Sequence, residues 1–284
     1  MQNPKYFNLL VNTVGALLGL FIVGYIVYSA MLSNAEPPCS TRYPAPTRFA
    51  LKTSQGTPQT PIQLQARAGA SERGVLENAA VVPASDAPTG EALEVQLRHS
   101  GKGANGKPPA FTGVYFRWSP PGMAGASAAC LTYSVWLPEG FDYGRGGLLP
   151  GIFGGQAPGP GPASSSAPGK ADFGTRIMWA ADGQALVQIE AGTTEFRTLD
   201  TSSFLLQPGR WIKIEQEVVL NAPGQADGAV RLWSDGKLVS EQGRQTLRSD
   251  EKSAISGVLA EILYLPEPDK AGMLRLSPFE MAWR

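Results

Sequence analysis

Arg176 lies in the run FGTRIMW, Phe173 to Trp179. Its planar guanidinium can grip a carboxylate through two parallel hydrogen bonds. The plainer alternative is that it caps a sheet face or pairs with Glu190 on a neighbouring strand. His99, the only histidine, lies between ALEVQLR and Ser100-Gly101-Lys102-Gly103. A base at such a strand end can reach a groove, although a histidine in a turn is more often solvated or hydrogen-bonded. Tyr115 and Tyr133 fall in strand-like runs, where an aromatic side chain fills a core or lines a sheet face. Glu215 and Glu217 in WIKIEQEVV share one strand face, the spacing of a carboxylate pair and equally of an ordinary solvent-facing alternation. Cys39 and Cys130 lack zinc-type spacing and have no base nearby in sequence, which disfavours thiol chemistry. They are a candidate disulfide in an oxidising compartment, with their separation in space left open by the sequence. No phosphate-cradling G-x-x-x-x-G-K-[ST] pattern occurs, and neither a metal nor a cofactor is expected.

The elements that must position these groups read as strands. Gly and Pro are frequent, 33 and 24 of 284 residues, while charged residues make up 17%. From Glu91 onward ten runs alternate apolar with polar residues: ALEVQLRH, FTGVYFRW, CLTYSVWL, TRIMWA, ALVQIEA, RWIKIEQEVVL, AVRLWS, KLVSEQ, VLAEILYL and MLRLSPFEMAW. Turn residues bound most of them. Asp235-Gly236 between two runs marks a hairpin, because Gly readily takes the positive φ that a tight turn needs. This pattern predicts an all-β sandwich. The stretch Gln156 to Lys170, rich in Gly, Pro and Ser, is too polar to fold alone and reads as an insertion loop at 156–170. With 24 basic and 24 acidic residues, no electrostatic footprint for nucleic acid is present.

The N-terminus is of another kind. No charged residue occurs from Tyr6 to Ala35, and Leu9 to Leu32 is almost wholly apolar, longer than the roughly 20 residues that cross a bilayer. The expected organisation is a cytoplasmic stretch at 1–8, a transmembrane helix at 9–32, a Pro/Ala/Ser-rich linker at 33–90 and a globular domain at 91–284. Lys5 precedes the apolar run, which places the N-terminus in the cytoplasm and the domain in a periplasm or its equivalent. A cleaved signal peptide ending near Ser33-Asn34-Ala35 is the rival reading. Asn8, Asn12, Gly15 and Gly19 stack on one helix face and offer a surface for other transmembrane subunits, or else reflect the ordinary abundance of Gly in membrane helices.

One block adds a resemblance. GGLLPGIFGG (Gly146 to Gly155), preceded by CLTYSVWLPEGFDY (Cys130 to Tyr143) and followed by FGTRIMW, resembles the alginate-lyase-like polysaccharide lyases of family 14 over Leu93 to Arg284. The resemblance implies a concanavalin-like β-jelly-roll whose concave sheet would hold a linear anionic polysaccharide. It implies a β-elimination in which a cation or amide neutralises the uronate carboxylate, a base removes the C5 proton and an acid protonates the leaving oxygen. Arg176 matches the family's arginine. Leu148 stands where the family has a loop lysine, Gly174 where it has a serine, and an ungapped count puts Gln188 and Glu190 near its Tyr-x-Tyr pair. Arg176, Gln188 and Glu190 are therefore the candidate glycan-binding residues. Trp118, Trp136, Trp179 and Trp233 can stack on sugar rings or fill the core. The expected function is a membrane-anchored, non-catalytic accessory subunit or glycan-binding module. An active lyase with relocated groups, such as His99 with a tyrosine like Tyr133, is the alternative.

Overall fold

The computed structural model describes residues 4–33, 36–69, 71–98, 112–155, 173–191, 197–199, 204–265 and 271–284. The chain divides into two compact units, Met1–Pro37 and Pro38–Arg284.

The first unit is helix α1, Pro4–Ser33. Its side chains are described from residue 12 to 28, and Leu17, Leu20, Phe21 and Tyr25 are among those exposed. Over the described residues no helix is long and apolar enough to cross a membrane.

The second unit is a sandwich of two antiparallel sheets. In chain order its elements are β1 (Thr47–Arg48), α2 (Pro61–Ala68), α3 (Val75–Asn78), β2 (Ala79–Pro83), β3 (Glu91–Leu97), β4 (Val114–Trp118) and β5 (Ala128–Trp136). There follow β6 (Gly147–Leu149), β7 (Gly151–Gly154), β8 (Phe173–Trp179), β9 (Ala185–Ala191), β10 (Arg197–Leu199) and β11 (Trp211–Val219). The last five are β12 (Gly228–Ser234), β13 (Lys237–Gln245), β14 (Ile255–Tyr264), β15 (Gly272–Leu276) and β16 (Glu280–Trp283). The larger sheet runs β13-β12-β11-β5-β15-β3-β2, with β16 beside β5 and β1 beside β16. The smaller runs β10-β9-β8-β6-β14-β4, with β7 between β8 and β14.

Two of these strand positions are split by proline. Pro150 separates β6 from β7, and Pro278 lies between β15 and β16; proline has no N–H to give a ladder. The glycines around Pro150 have a packing role. A Cβ on Gly147 would stand 2.0 Å from the Trp179 ring, and one on Gly154 would stand 2.1 Å from the Phe173 ring. The block GGLLPGIFGG thus forms two strands, with glycines where rings from β8 lie against the backbone. The Asp235-Gly236 hairpin forms as expected, with φ of 49° and 79°, linking β12 directly to β13.

The core lies between the sheets. Leu131, Tyr133, Val135, Ile214 and Val218 of the larger sheet meet Leu149, Ile177, Val187 and Ile262 of the smaller. Burying such side chains stabilises by roughly 1.5–3 kcal/mol each.

The expected linker at 33–90 is corrected by the structure. Phe49, Leu51, Leu64 and Val75 are buried in the same core, and Phe49 packs on Phe116, Trp118 and Phe279 with ring centroids 5.4–5.9 Å apart. These apolar residues enter singly, so no periodicity marks them. Helix α2 did carry a local signal, Thr60-Pro61-Ile62-Gln63. Thr60 and Gln63 form a reciprocal capping box with Pro61 in the first turn.

Candidate functional site

The outer face of the smaller sheet carries Leu148 and Met178 on paired positions of β6 and β8, and Leu263 opposite Leu148 on β14. Alternation then puts Arg176, Glu261 and Tyr115 on that face, with Glu261 directly opposite Tyr115. Arg176 pairs across β8 and β9 with Gln188, and Glu190 lies opposite Gly174.

On this face Arg176 is engaged by two carboxylates. Its Nη1 donates to Glu190 Oε2 at 3.2 Å, and its Nε lies 2.6 Å from Glu261 Oε2. Arg176 is 1% exposed, Glu190 3%, Gln188 7% and Glu261 0%. The reading of Arg176, Gln188 and Glu190 as an open glycan-binding set is thereby corrected. The guanidinium and the two carboxylates are paired with one another and shut away from solvent, since a buried charge is tolerated only when paired. Glu190 was foreseen as a partner for Arg176, whereas Glu261 was not. Its signal was a lone acid in the apolar run ISGVLAEILY.

The other candidate groups lie elsewhere. Tyr133 is in the core, 1% exposed, and its hydroxyl donates to Pro150 O at 3.0 Å. Burial pushes its phenol well above the ordinary value. It cannot meet a substrate there. Trp179 and Trp233 are buried, so neither offers a ring to a sugar. His99 and the insertion at 156–170 lie outside the described residues. In α1, Asn12, Gly15 and Gly19 are exposed, and a Cβ on either glycine would meet open space. The Asn8 side chain lies outside the described residues.

A second polar cluster sits on the outer face of the larger sheet. Cys39 and Cys130 form a disulfide, Cα atoms 5.7 Å apart, which ties the segment after Pro38 to β5. That segment covers Glu215 and Glu217, the pair read as solvent-facing, leaving them 1% and 0% exposed. Glu215 accepts from Ser40 N at 2.8 Å and pairs with Lys213 at 2.6 Å. Glu217 accepts from Arg42 (2.8 Å), Tyr43 (2.8 Å) and Arg231 (2.9 Å). Burial alone would raise the Glu217 carboxyl, and these hydrogen bonds with the Arg42 charge outweigh it, holding the pKa below its ordinary value. Tyr43 is raised, first by burial and then by its bond to Glu217 and that carboxylate's charge. Cys39, Cys130 and Glu215 gather like a metal-ligand set, but the disulfide takes both sulfurs. The acids form a structural anchor, with their oxygens engaged by the covering segment, by Lys213 of β11 and by Arg231 of β12.

Comparison with known proteins agrees with this architecture. An alginate lyase from a Chlorella virus shares the fold with a TM-score of 0.64 at 20% identity, over 78% of this chain and 97% of that one. The marine alginate lyase of Aplysia kurodai aligns with a TM-score of 0.60 at 18% identity, over 76% of this chain and 90% of its own. Among curated proteins no sequence matches the chain. The sequence profile of polysaccharide lyase 14 matches residues 86–264, most of the sandwich just described. On that match, the chain belongs to the polysaccharide lyase 14 family.

Proposed function

We propose that this chain is a membrane-anchored, extracytoplasmic domain of lyase fold that does not turn over glycans and serves as an accessory subunit of a membrane assembly or as a glycan-binding module. One observation carries the non-catalytic reading, the engagement of the Arg176 guanidinium by Glu190 and Glu261 inside the outer face of the smaller sheet. A β-elimination needs a cation or amide free to neutralise the sugar carboxylate and groups placed to move two protons. At the positions singled out by the family resemblance stand a fully buried leucine (148), a glycine (174), a buried amide (188) and a carboxylate already paired with Arg176 (190).

The anchor reading rests on the apolar run of α1 and on Lys5 before it. The Cys39–Cys130 disulfide favours an oxidising compartment for the domain. The exposed Asn12, Gly15 and Gly19 supply a face on which another helix can approach closely. A second reading is turnover by other groups; Tyr115 shares the outer face of the smaller sheet but is 3% exposed. Purification in mild detergent tests the assembly reading. Other membrane proteins are expected to co-purify with the wild-type chain and to be lost on Gly15→Leu with Gly19→Leu. A chain that always purifies alone refutes the accessory role.

A further inference from the structure

We propose that Arg73 and Arg117, at the β4 edge of the smaller sheet, form a contact site for the carboxylate or sulfate groups of an anionic polysaccharide. This inference rests on the glycan-binding reading above and moves the contact away from the matched arginine to residues that the resemblance does not assign.

Arg73 lies before the family match at 86–264, in a segment that the sequence assigned to a linker. The structure instead adds this residue to the sheet edge. Arg73 N donates to Tyr115 O at 2.8 Å, and Tyr115 N donates to Arg73 O at 2.9 Å. Residues directly opposed in an antiparallel pair project to the same face, so Arg73 joins Tyr115 on the outer face of the smaller sheet. Arg117, two residues along β4, shares that face. Its Nε donates to Ser71 Oγ at 3.3 Å, which holds the guanidinium toward the added segment.

The two arginines differ from Arg176 in the respect that matters for a ligand. Arg176 is buried and committed to Glu190 and Glu261. Arg73 is exposed and Arg117 half-buried, and among the described residues neither forms an ion pair. Tyr115 lies between them, 3% exposed. Its phenol is raised, first by burial; the Glu261 charge adds to this and the Arg117, Arg176 and Arg73 charges oppose it. The row from Arg73 through Tyr115 and Glu261 to Arg176 and Glu190 therefore has a floor whose charges are committed to one another inside the sheet, one guanidinium to two carboxylates, and a rim that carries the two arginines.

A linear polyuronate presents one carboxylate on each ring, and a sulfated glycan presents sulfate esters at similar intervals. Two arginines at diagonal positions of one sheet edge suit either repeat through charge-assisted, bidentate hydrogen bonds. A neutral glycan offers nothing for them to grip.

The test is fluorescence anisotropy of the full chain in detergent with labelled oligouronate, labelled dextran sulfate and labelled neutral dextran. Binding to either anionic probe but not to neutral dextran is expected, and the preferred probe identifies the anion. Arg73→Ala with Arg117→Ala should weaken it about tenfold with an unchanged melting temperature, and added salt should weaken wild-type binding. The lysine pair, Arg73→Lys with Arg117→Lys, should retain part of the affinity because charge remains while the fork is lost. Anionic-probe binding that is unchanged in the alanine pair overturns this site and leaves the glycan reading standing. If the wild type binds neither anionic probe, both fall.

Discussion

Arg176 Nε lies 2.6 Å from Glu261 Oε2 across the two-part strand formed by β6 and β7, and neither side chain is more than 1% exposed. With Glu190 on the other side, a residue type expected at a glycan-binding surface has become part of the fold's interior. Replacing Arg176 by Leu would leave two carboxylates buried without their guanidinium. Breaking such a pair costs about 3–5 kcal/mol. A lowered urea midpoint is expected, partly recovered by adding Glu261→Gln. An Arg176→Leu chain as stable as wild type would show that the cluster is not structural.

The disulfide joins residues 91 positions apart. Closing so long a loop restricts the unfolded chain, and losing the bond should cost about 2–4 kcal/mol. Denaturation with and without reductant measures it, and Cys130→Ser should reproduce the reduced midpoint. An unchanged midpoint would mean that the contacts of Ser40, Arg42 and Tyr43 suffice to hold the segment down.

Acid stability should depend on Glu217. Its folded pKa lies below the ordinary 4.5, so its contribution is complete above the unfolded value and is lost as pH falls through the folded one. Glu217→Gln should flatten that acid limb of the stability curve. Tyr43 and Tyr133 are raised above 10.0 in the folded chain. The unfolded phenols therefore ionise first, and stability should fall again as pH rises above that value. A curve flat through the acid range in the wild type would contradict the role given to Glu217.

The strands were legible because alternation and turn residues are local. Asp235-Gly236 shows this directly, as does the pairing of Arg176 with Glu190 on the next strand. Glu261 was not legible, since only the placement of β14 one strand beyond β6 and β7 brings it to Arg176 from 85 residues away in the chain. The segment from Cys39 to Leu64 was read as a linker because Tyr43, Phe49, Leu51 and Leu64 are inserted one at a time, with no repeat for a period to reveal. The burial of Glu215 and Glu217 has the same origin. Their strand does alternate, but the face that alternation would give to water is covered by residues 38–43.

Absence of turnover is tested by ultraviolet absorbance of unsaturated uronate products when the full chain is incubated with a panel of uronate polymers. No product above the protein-free blank is expected on any polymer, at any pH where the chain is folded. Steady accumulation of unsaturated product by the wild-type chain on any of them would contradict it.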